Sequence, residues 1–193
     1  MISPNSKVTI TDKIIATTIL PLIPSFVTPN HITAFRFASI PFVAYFLTNG
    51  FFKTGTVLFV ISAFSDAVDG ALARTEGKIT EWGKMYDPVA DKLLIGIVVA
   101  IVVSKFLGRE LAFIIIFLEL WIVVWAFYRK RFLHHDISAK KVGKIKMILQ
   151  SFGVGFVLLF VVWPLPVFLA LASWLLYGAI VFAVLSLFVY KSI

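Results

Sequence analysis

Long apolar runs set the first limit on how this chain can fold. Six runs, each near the ~20 residues that cross a bilayer as a helix, are separated by short breaks such as Asn49-Gly50. The runs cover residues 30–48, 54–75, 83–104, 109–131, 143–163 and 166–190. The 193-residue chain is 60% hydrophobic, far above the apolar content of soluble globular domains. We therefore predict an all-α integral membrane protein with six transmembrane helices.

The residues before the first run differ in polarity from the rest of the chain. Thr11 and Asp12 are suited to cap a short helix, which two following prolines would end. A juxtamembrane amphipathic helix lying at the membrane surface is the expected structure. The chain is then one membrane domain, 1–193. Residues 1–28 form its surface helix and linker, and residues 29–193 form its six-helix bundle.

The distribution of lysine and arginine predicts the orientation in the membrane. Of the 18 basic residues, only Lys53, Lys105 and Arg109 fall on one side of the predicted spans. The positive-inside rule therefore places both termini on the cytoplasmic side of a multi-pass cell-membrane protein. The net charge of +8 suits anionic headgroups and phosphorylated substrates. Nucleic acid is not an expected partner, because no aromatic-basic module accompanies the charge.

The segment 66–91 interrupts the apolar character with regularly spaced carboxylates. On a helix, Asp66 and Asp69 fall within one arc, and Asp87 and Asp91 share a stripe one turn apart. Carboxylates that face one another repel unless a cation lies between them. A divalent metal bound by oxygen ligands is the simplest resolution, so the sequence predicts a metal site near the cytoplasmic interface.

The same segment matches the pattern D-x2-D-G-x2-A-R-x8-G-x3-D-x3-D. The matching residues are Asp66, Asp69, Gly70, Ala73, Arg74, Gly83, Asp87 and Asp91. The chain therefore resembles the CDP-alcohol phosphotransferases, which carry this signature. The resemblance implies transfer of a phosphatidyl group from CDP-diacylglycerol to a small alcohol. It also implies a divalent cofactor, Mg²⁺ or Mn²⁺ as one or two ions, and a homodimer in the lipid bilayer.

The resemblance further implies roles for individual residues. The proposed metal ligands are Asp66, Asp69, Asp87 and Asp91, and Asp91 is also the candidate general base. A P-N-x-x-T-x-x-R opening, which ends at Arg36, contributes to the nucleotide site. The nucleotide-binding residues are then Asn30, Thr33, Asp69, Gly70, Ala73, Arg74 and Gly83. Arg36 itself has two interpretations, a site residue or a side chain that reaches the lipid headgroups.

Two acidic residues have structural alternatives. Asp87 precedes Pro88 and would also suit a helix N-cap. Glu119 lies inside the fourth apolar run, where an unpaired acid costs free energy. Arg36 or a nearer basic residue is its expected partner, and contact with substrate is the alternative.

A basic segment after the fourth run bears on the acceptor alcohol. Residues 143–150, with the sequence GKIKMILQ, and residues 86–92 resemble segments of phosphatidylglycerophosphate synthases. The likeness implies glycerol 3-phosphate as the acceptor. Its phosphate would be bound by Arg129, Lys144 and Lys146.

The acceptor prediction has alternatives. Met147 and Leu118 stand where threonine and arginine are usual in those synthases, so inositol phosphate or another alcohol is the alternative acceptor. From a different class, an ion-coupled transporter would also explain acids within membrane helices. Such a transporter is expected to hold them near the bilayer midplane, in broken helices and repeated halves.

Overall fold

The computed structural model describes residues 10–24, 27–75, 81–132 and 141–191, and every regular element in these ranges is helical. The α-helices are α1 (Ile10–Thr18), α2 (Pro29–Thr48), α3 (Phe52–Thr75), α4 (Glu81–Val98), α5 (Ser104–Phe106), α6 (Arg109–Phe132), α7 (Lys141–Val162) and α8 (Pro166–Lys191). A 3₁₀ turn, Leu20–Leu22, follows α1, and a π-helical segment, Val99–Val103, joins α4 to α5. The predicted all-α class is confirmed.

Membrane-spanning character is clear for part of the chain. Within the described ranges, three helical segments are long and apolar enough to cross a membrane: Phe52–Thr75, Val142–Val162 and Pro166–Leu187. The other predicted spans are also helical, but they carry charged side chains such as Arg36 in α2 and Glu119 in α6. The protein is therefore a helical membrane protein, and the count of six spans stays a prediction.

Helix boundaries follow local sequence signals. Thr28 is the N-cap residue of α2, and its backbone N–H donates to His31 Nδ1 at 3.4 Å. Pro29 occupies the first helical position, where a missing N–H leaves no helix bond unmade. Gly50 has φ of +83° in the turn between α2 and α3, a backbone conformation that strains other residues. The predicted break at Asn49-Gly50 is therefore confirmed.

Two expectations about helix starts are wrong. The first helix begins at Ile10, so Asp12 lies inside its first turn and does not cap it. The fourth helix begins at Glu81, so Asp87 and Pro88 are interior residues. Pro88 lacks the N–H that would bond one turn back, but the helix continues through it. The interpretation of Asp87 as a simple N-cap is therefore excluded.

The chain forms two compact units, Met1–Leu94 and Ile95–Ile193. In the first unit, α3 packs against both α1 and α2. Its buried core contains Ile32, Val68 and Leu72, and Ile15 and Ile19 pack onto this core from the N-terminal side. In the second unit, α8 packs against α7 and α6. The aspartates of the motif all belong to the first unit.

Candidate active site

Arg36 lies between two aspartates of the motif, and its relative exposure is 0%. Its Nη2 donates to Asp69 Oδ2 at 2.8 Å, and its Nη1 lies 2.8 Å from Asp66 Oδ1. Asp69 is buried, whereas the Asp66 side chain is half-exposed. The guanidinium therefore holds the two carboxylates of α3 beside each other. A side chain that reaches the headgroups would be exposed, so the burial of Arg36 and its contacts with two aspartates of the motif favour the site interpretation.

Thr33 connects the acidic residues of α3 and α4. Its hydroxyl donates to Asp87 Oδ1 at 2.7 Å and lies 3.5 Å from Asp69 Oδ2. The two carboxylate oxygens are therefore no farther apart than the sum of these distances. An edge-to-face contact between Phe37 and Tyr86, with ring centroids 6.3 Å apart, also joins α2 to α4. The structure thus brings together Asp69 and Asp87 from the two halves of the motif.

The predicted cluster of four metal ligands is not closed around one point. No group of three or more acidic, histidine or cysteine side chains in the described ranges is placed to hold a metal ion. Asp66 and Asp69 contact the guanidinium of Arg36, and Asp69 and Asp87 contact the hydroxyl of Thr33. Asp91 is one turn beyond Asp87 on α4 and is partly buried. The guanidinium of Arg36 supplies positive charge to Asp66 and Asp69, two of the four predicted ligands.

The donor atoms nevertheless fit a hard divalent cation. Carboxylate oxygens of Asp69 and Asp87 and the Thr33 hydroxyl converge from three helices, and Mg²⁺ and Mn²⁺ prefer oxygen ligands. The exposed half of Asp66 offers a further carboxylate that a cation can reach from solvent. The chemical groups at this site are therefore the kind that bind Mg²⁺ or Mn²⁺.

Arg74 is positioned by Asp12 and Gly70. Its Nε and Nη2 donate to Asp12 Oδ2 and Oδ1 at 2.9 and 2.7 Å. Its Nη2 lies only 2.8 Å from the point where a Cβ on residue 70 would stand. The space beside Gly70, a predicted nucleotide-binding residue, is therefore occupied by the Arg74 guanidinium. Asp12 was missed as a site residue because its polar character was explained as a helix cap.

The other predicted nucleotide residues have less specific surroundings. Asn30 is partly buried in the first turn of α2, and Ala73 is partly buried on α3. Gly83 falls within α4, but its surroundings lie outside the described part of the structure. His134 and His135, in the basic segment, are likewise outside the described residues.

The predicted acceptor residues belong to the second unit and differ in exposure. Lys144 is exposed, whereas Lys146 is buried and donates a hydrogen bond to Glu119 Oε1. The expectation of a basic partner for Glu119 is confirmed, and that partner is Lys146 and not Arg36. Arg129 lies in α6, but its side chain is outside the described part of the structure.

The fold and the site define a helical membrane protein with an acidic site built by α2, α3 and α4. A family model, CDP-alcohol phosphatidyltransferase, matches residues 26–185. The chain belongs to the CDP-alcohol phosphatidyltransferase family, and it is a transferase of phospholipid synthesis. The predicted resemblance is confirmed, and the ion-coupled transporter is excluded as an alternative.

Named relatives agree with this assignment. A CDP-diacylglycerol–glycerol-3-phosphate 3-phosphatidyltransferase of Rickettsia felis is 31% identical over 134 residues, which are 68% of this chain and 74% of the relative. The Bacillus subtilis protein of the same name is 31% identical over 146 residues, 68% of this chain and 76% of the relative. A probable CMP-forming cardiolipin synthase of Drosophila melanogaster is 30% identical over 97 residues, 49% of this chain and 30% of the relative.

Removing the Arg36 guanidinium should destabilise the first unit. In Arg36→Gln, the buried carboxylate of Asp69 loses its cation, and breaking a buried ion pair costs about 3–5 kcal/mol. Asp66 adds little, because its side chain is half-exposed. Thermal unfolding in detergent should show a lower Tm, and Mg²⁺ should restore part of the loss by supplying positive charge to the same carboxylates.

The matched control for this experiment is Arg109→Gln, which removes an exposed arginine from the first turn of α6. Its Tm should equal that of the wild type. An unchanged Tm for Arg36→Gln would contradict the central position given to Arg36.

Proposed function

We propose that the protein transfers the phosphatidyl group of CDP-diacylglycerol to glycerol 3-phosphate, which yields phosphatidylglycerophosphate and CMP. The observation that carries this proposal is the contact of Asp69 and Asp87 with one hydroxyl, that of Thr33. This contact joins the two halves of the family signature in one acidic site. The relatives from Rickettsia felis and Bacillus subtilis are named for this reaction.

The reaction is a displacement at the phosphorus that carries the diacylglycerol. The acceptor hydroxyl oxygen bonds to this phosphorus, the bond to the bridging pyrophosphate oxygen breaks, and CMP leaves with that oxygen. The hydroxyl proton passes to a general base. Asp91 is the proposed base because it is the last carboxylate on its stripe of α4, and reach to the hydroxyl is the first requirement of a base.

Mg²⁺ or Mn²⁺, as one or two ions, is the proposed cofactor. The proposed ligands are Asp66, Asp69, Asp87 and Asp91. When bound, the cation neutralises charge on the phosphoryl oxygens and on the leaving CMP. The protein holds the ligand oxygens ready for it: Arg36 fixes the two carboxylates of α3, and Thr33 ties α4 to Asp69. This preorganisation lowers the entropy cost of assembling the site.

The CDP moiety is proposed to lie against the small residues and the arginine of the motif. The proposed contacts are Asn30, Thr33, Asp69, Gly70, Ala73, Arg74 and Gly83. Arg74 can reach a phosphate because 36% of its side chain is exposed. Its contacts with Asp12 use Nε and Nη2, two of the nitrogens through which a guanidinium presents five N–H donors.

Binding of the acceptor phosphate is assigned to α6 and α7, through Arg129, Lys144 and Lys146. Lys144 is the principal contact in this proposal, because its ammonium is exposed. Lys146 is buried against Glu119, so it would contribute charge from within the protein. Inositol phosphate or another alcohol is the alternative acceptor, and the names of the relatives favour glycerol 3-phosphate.

The membrane arrangement is part of the same proposal. We place six spans in the bilayer, with both termini and the active site facing the cytoplasm, in a single domain of residues 1–193. The coincidence of each predicted span with a helix and the one-sided distribution of basic residues support this topology. CDP-diacylglycerol would keep its acyl chains in the bilayer, and a homodimer is proposed from family resemblance.

Replacing the carboxylates should separate metal binding from proton removal. Asp66→Asn, Asp69→Asn and Asp87→Asn should each abolish turnover, since losing one metal-held oxygen costs several kcal/mol of transition-state stabilisation. Asp91→Asn should lower kcat roughly 10²-fold while CDP-diacylglycerol still binds. The kcat and the KM for CDP-diacylglycerol are measured in detergent over a Mg²⁺ titration.

Glu110→Gln is the control, since it makes the corresponding carboxylate-to-amide change at an exposed acid outside the motif. It should retain full activity. Near-normal turnover in any of the first three variants would overturn the metal assignment. If Asp91→Asn lost metal and CDP-lipid binding altogether, Asp91 would act chiefly as a metal ligand, and its role as the base would be wrong.

The acceptor is tested by its product and by Lys144. With CDP-diacylglycerol and Mg²⁺, a panel of glycerol 3-phosphate, inositol phosphate, serine and glycerol should give phosphatidylglycerophosphate as the main lipid by mass spectrometry. Lys144→Ala should raise the KM for glycerol 3-phosphate far more than the KM for CDP-diacylglycerol, because it removes a charged contact to the acceptor phosphate.

Lys53→Ala, which removes an exposed lysine from α3, should change neither KM. If another lipid is the main product, the assignment of glycerol 3-phosphate as the acceptor is wrong, and the family assignment still holds. An effect of Lys144→Ala on the CDP-lipid alone would remove Lys144 from the acceptor site.

A further inference from the structure

An ion pair between Asp12, which lies outside the family signature, and Arg74, which belongs to it, connects the N-terminal helix to the motif. Asp12 on α1 accepts two hydrogen bonds from Arg74 on α3, at 2.9 and 2.7 Å. The family match begins at residue 26, so Asp12 lies before the part of the chain that the family model covers. The family match therefore assigns no role to this carboxylate, and its contacts are the guide to what it does.

The geometry of the pair is that of a clamp on the guanidinium. Both oxygens of Asp12 are used, and two parallel N–H···O bonds fix the plane of an arginine as well as its distance. The Asp12 side chain is only 2% exposed, whereas that of Arg74 is 36% exposed. The carboxylate thus holds Arg74 from the protein side and leaves part of the guanidinium accessible.

Gly70 completes the placement of Arg74. The residue lies one turn before Arg74 on α3, and a Cβ there would stand 2.8 Å from Nη2 and 3.1 Å from Nη1. The absence of a side chain lets the guanidinium fold back along its own helix. Asp12 and Gly70 together therefore keep Arg74 in one orientation. A flexible arginine would lose conformational entropy on binding a ligand, and a side chain that is already oriented loses less.

The N-terminal helix is held in place independently of this ion pair. Ile15 and Ile19 pack against the buried core formed by Ile32, Val68 and Leu72. Apolar contacts therefore dock α1, and the Asp12 carboxylate is presented to Arg74 from a fixed support. The ion pair itself adds little to the stability of this docking, because the desolvation of a buried carboxylate offsets most of the attraction between the two charges.

We propose that Asp12 is a positioning residue that holds Arg74 ready to bind the pyrophosphate of the CDP-lipid. The inference rests on the proposed role of Arg74 in nucleotide binding. The N-terminal helix would then take part in substrate binding through Arg74. Through Arg74, Asp12 acts on the affinity for the CDP-lipid. It acts neither on the proton transfer nor on binding of the acceptor.

The test is a double-mutant cycle on Asp12→Asn and Arg74→Gln, with kcat and both KM values measured in detergent. Asp12→Asn should raise the KM for CDP-diacylglycerol about tenfold, with kcat and the acceptor KM within about twofold of wild type. Arg74→Gln should raise the same KM at least as much. In the Arg74→Gln background, Asp12→Asn should have no further effect on KM, because the group it acts through is gone.

Two further variants separate positioning from stability. Ile15→Ala weakens the packing of α1 but keeps both partners of the ion pair, so it should lower Tm and raise the KM for CDP-diacylglycerol by less than Asp12→Asn does, with the acceptor KM unchanged. Asp12→Glu keeps the charge but moves it by one methylene, and it should raise the KM for CDP-diacylglycerol by less than Asp12→Asn does. If Asp12→Asn does not fold, Asp12→Glu takes its place in the cycle and should still raise this KM.

Other kinetic results would contradict the role of Asp12 or that of Arg74. Additive effects of Asp12 and Arg74 on KM, or an equal rise in KM for Ile15→Ala, would make Asp12 a structural residue and defeat the inference. An unchanged KM in Asp12→Asn, or in Asp12→Glu where that variant replaces it, combined with a raised KM in Arg74→Gln, would defeat the inference and leave the nucleotide site standing. An unchanged KM in Arg74→Gln would instead remove Arg74 from the proposed nucleotide site.

Discussion

The buried guanidinium of Arg36 is the interaction on which the acidic site depends. A carboxylate such as Asp69 cannot be taken out of water into an apolar helix pair without a compensating charge and hydrogen bonds. Arg36 supplies both to Asp69 and a close positive charge to Asp66. Thr33, one turn earlier on the same helix, reaches the carboxylate of Asp87. The helix α2 contributes no acid of its own, yet it organises the acids of α3 and α4.

The same physical rule governs the other acids within the helices of this protein. Glu119 of α6 is paired with the buried Lys146 of α7, and Asp12 is paired with Arg74. The contact between α2 and α3 also includes a buried hydrogen bond between Ser39 and Ser62, with 2.7 Å between the hydroxyl oxygens. These contacts offset part of the cost of burying charged and hydroxyl groups in an apolar protein, because lipid offers them no hydrogen bonds. Pairing is therefore the condition under which a membrane enzyme can keep reactive charges.

Local features of this chain could be predicted from sequence, whereas contacts between distant residues could not. The apolar runs and the Asn49-Gly50 turn are written into short stretches, so the positions of the helices and this break were correct. The Asp-Pro pair at 87–88 left a helix N-cap open as an alternative, and only the course of α4 through both residues excludes it. The partners of Arg36 and Asp12 depend on how helices pack, and no spacing in one sequence reports them. Gly70 was predicted as a nucleotide-binding residue, but the close contact of the Arg74 guanidinium with it was not predicted.

The central claim is that these carboxylates support metal-dependent transfer from CDP-diacylglycerol to an alcohol. The most direct measurement is the release of CMP by purified protein in detergent, with CDP-diacylglycerol, glycerol 3-phosphate and Mg²⁺ present together. The account predicts CMP and phosphatidylglycerophosphate in equal amounts, and no CMP when the acceptor is omitted or the metal is chelated. Undiminished CMP release with the metal chelated, or no release with all components present, would contradict it.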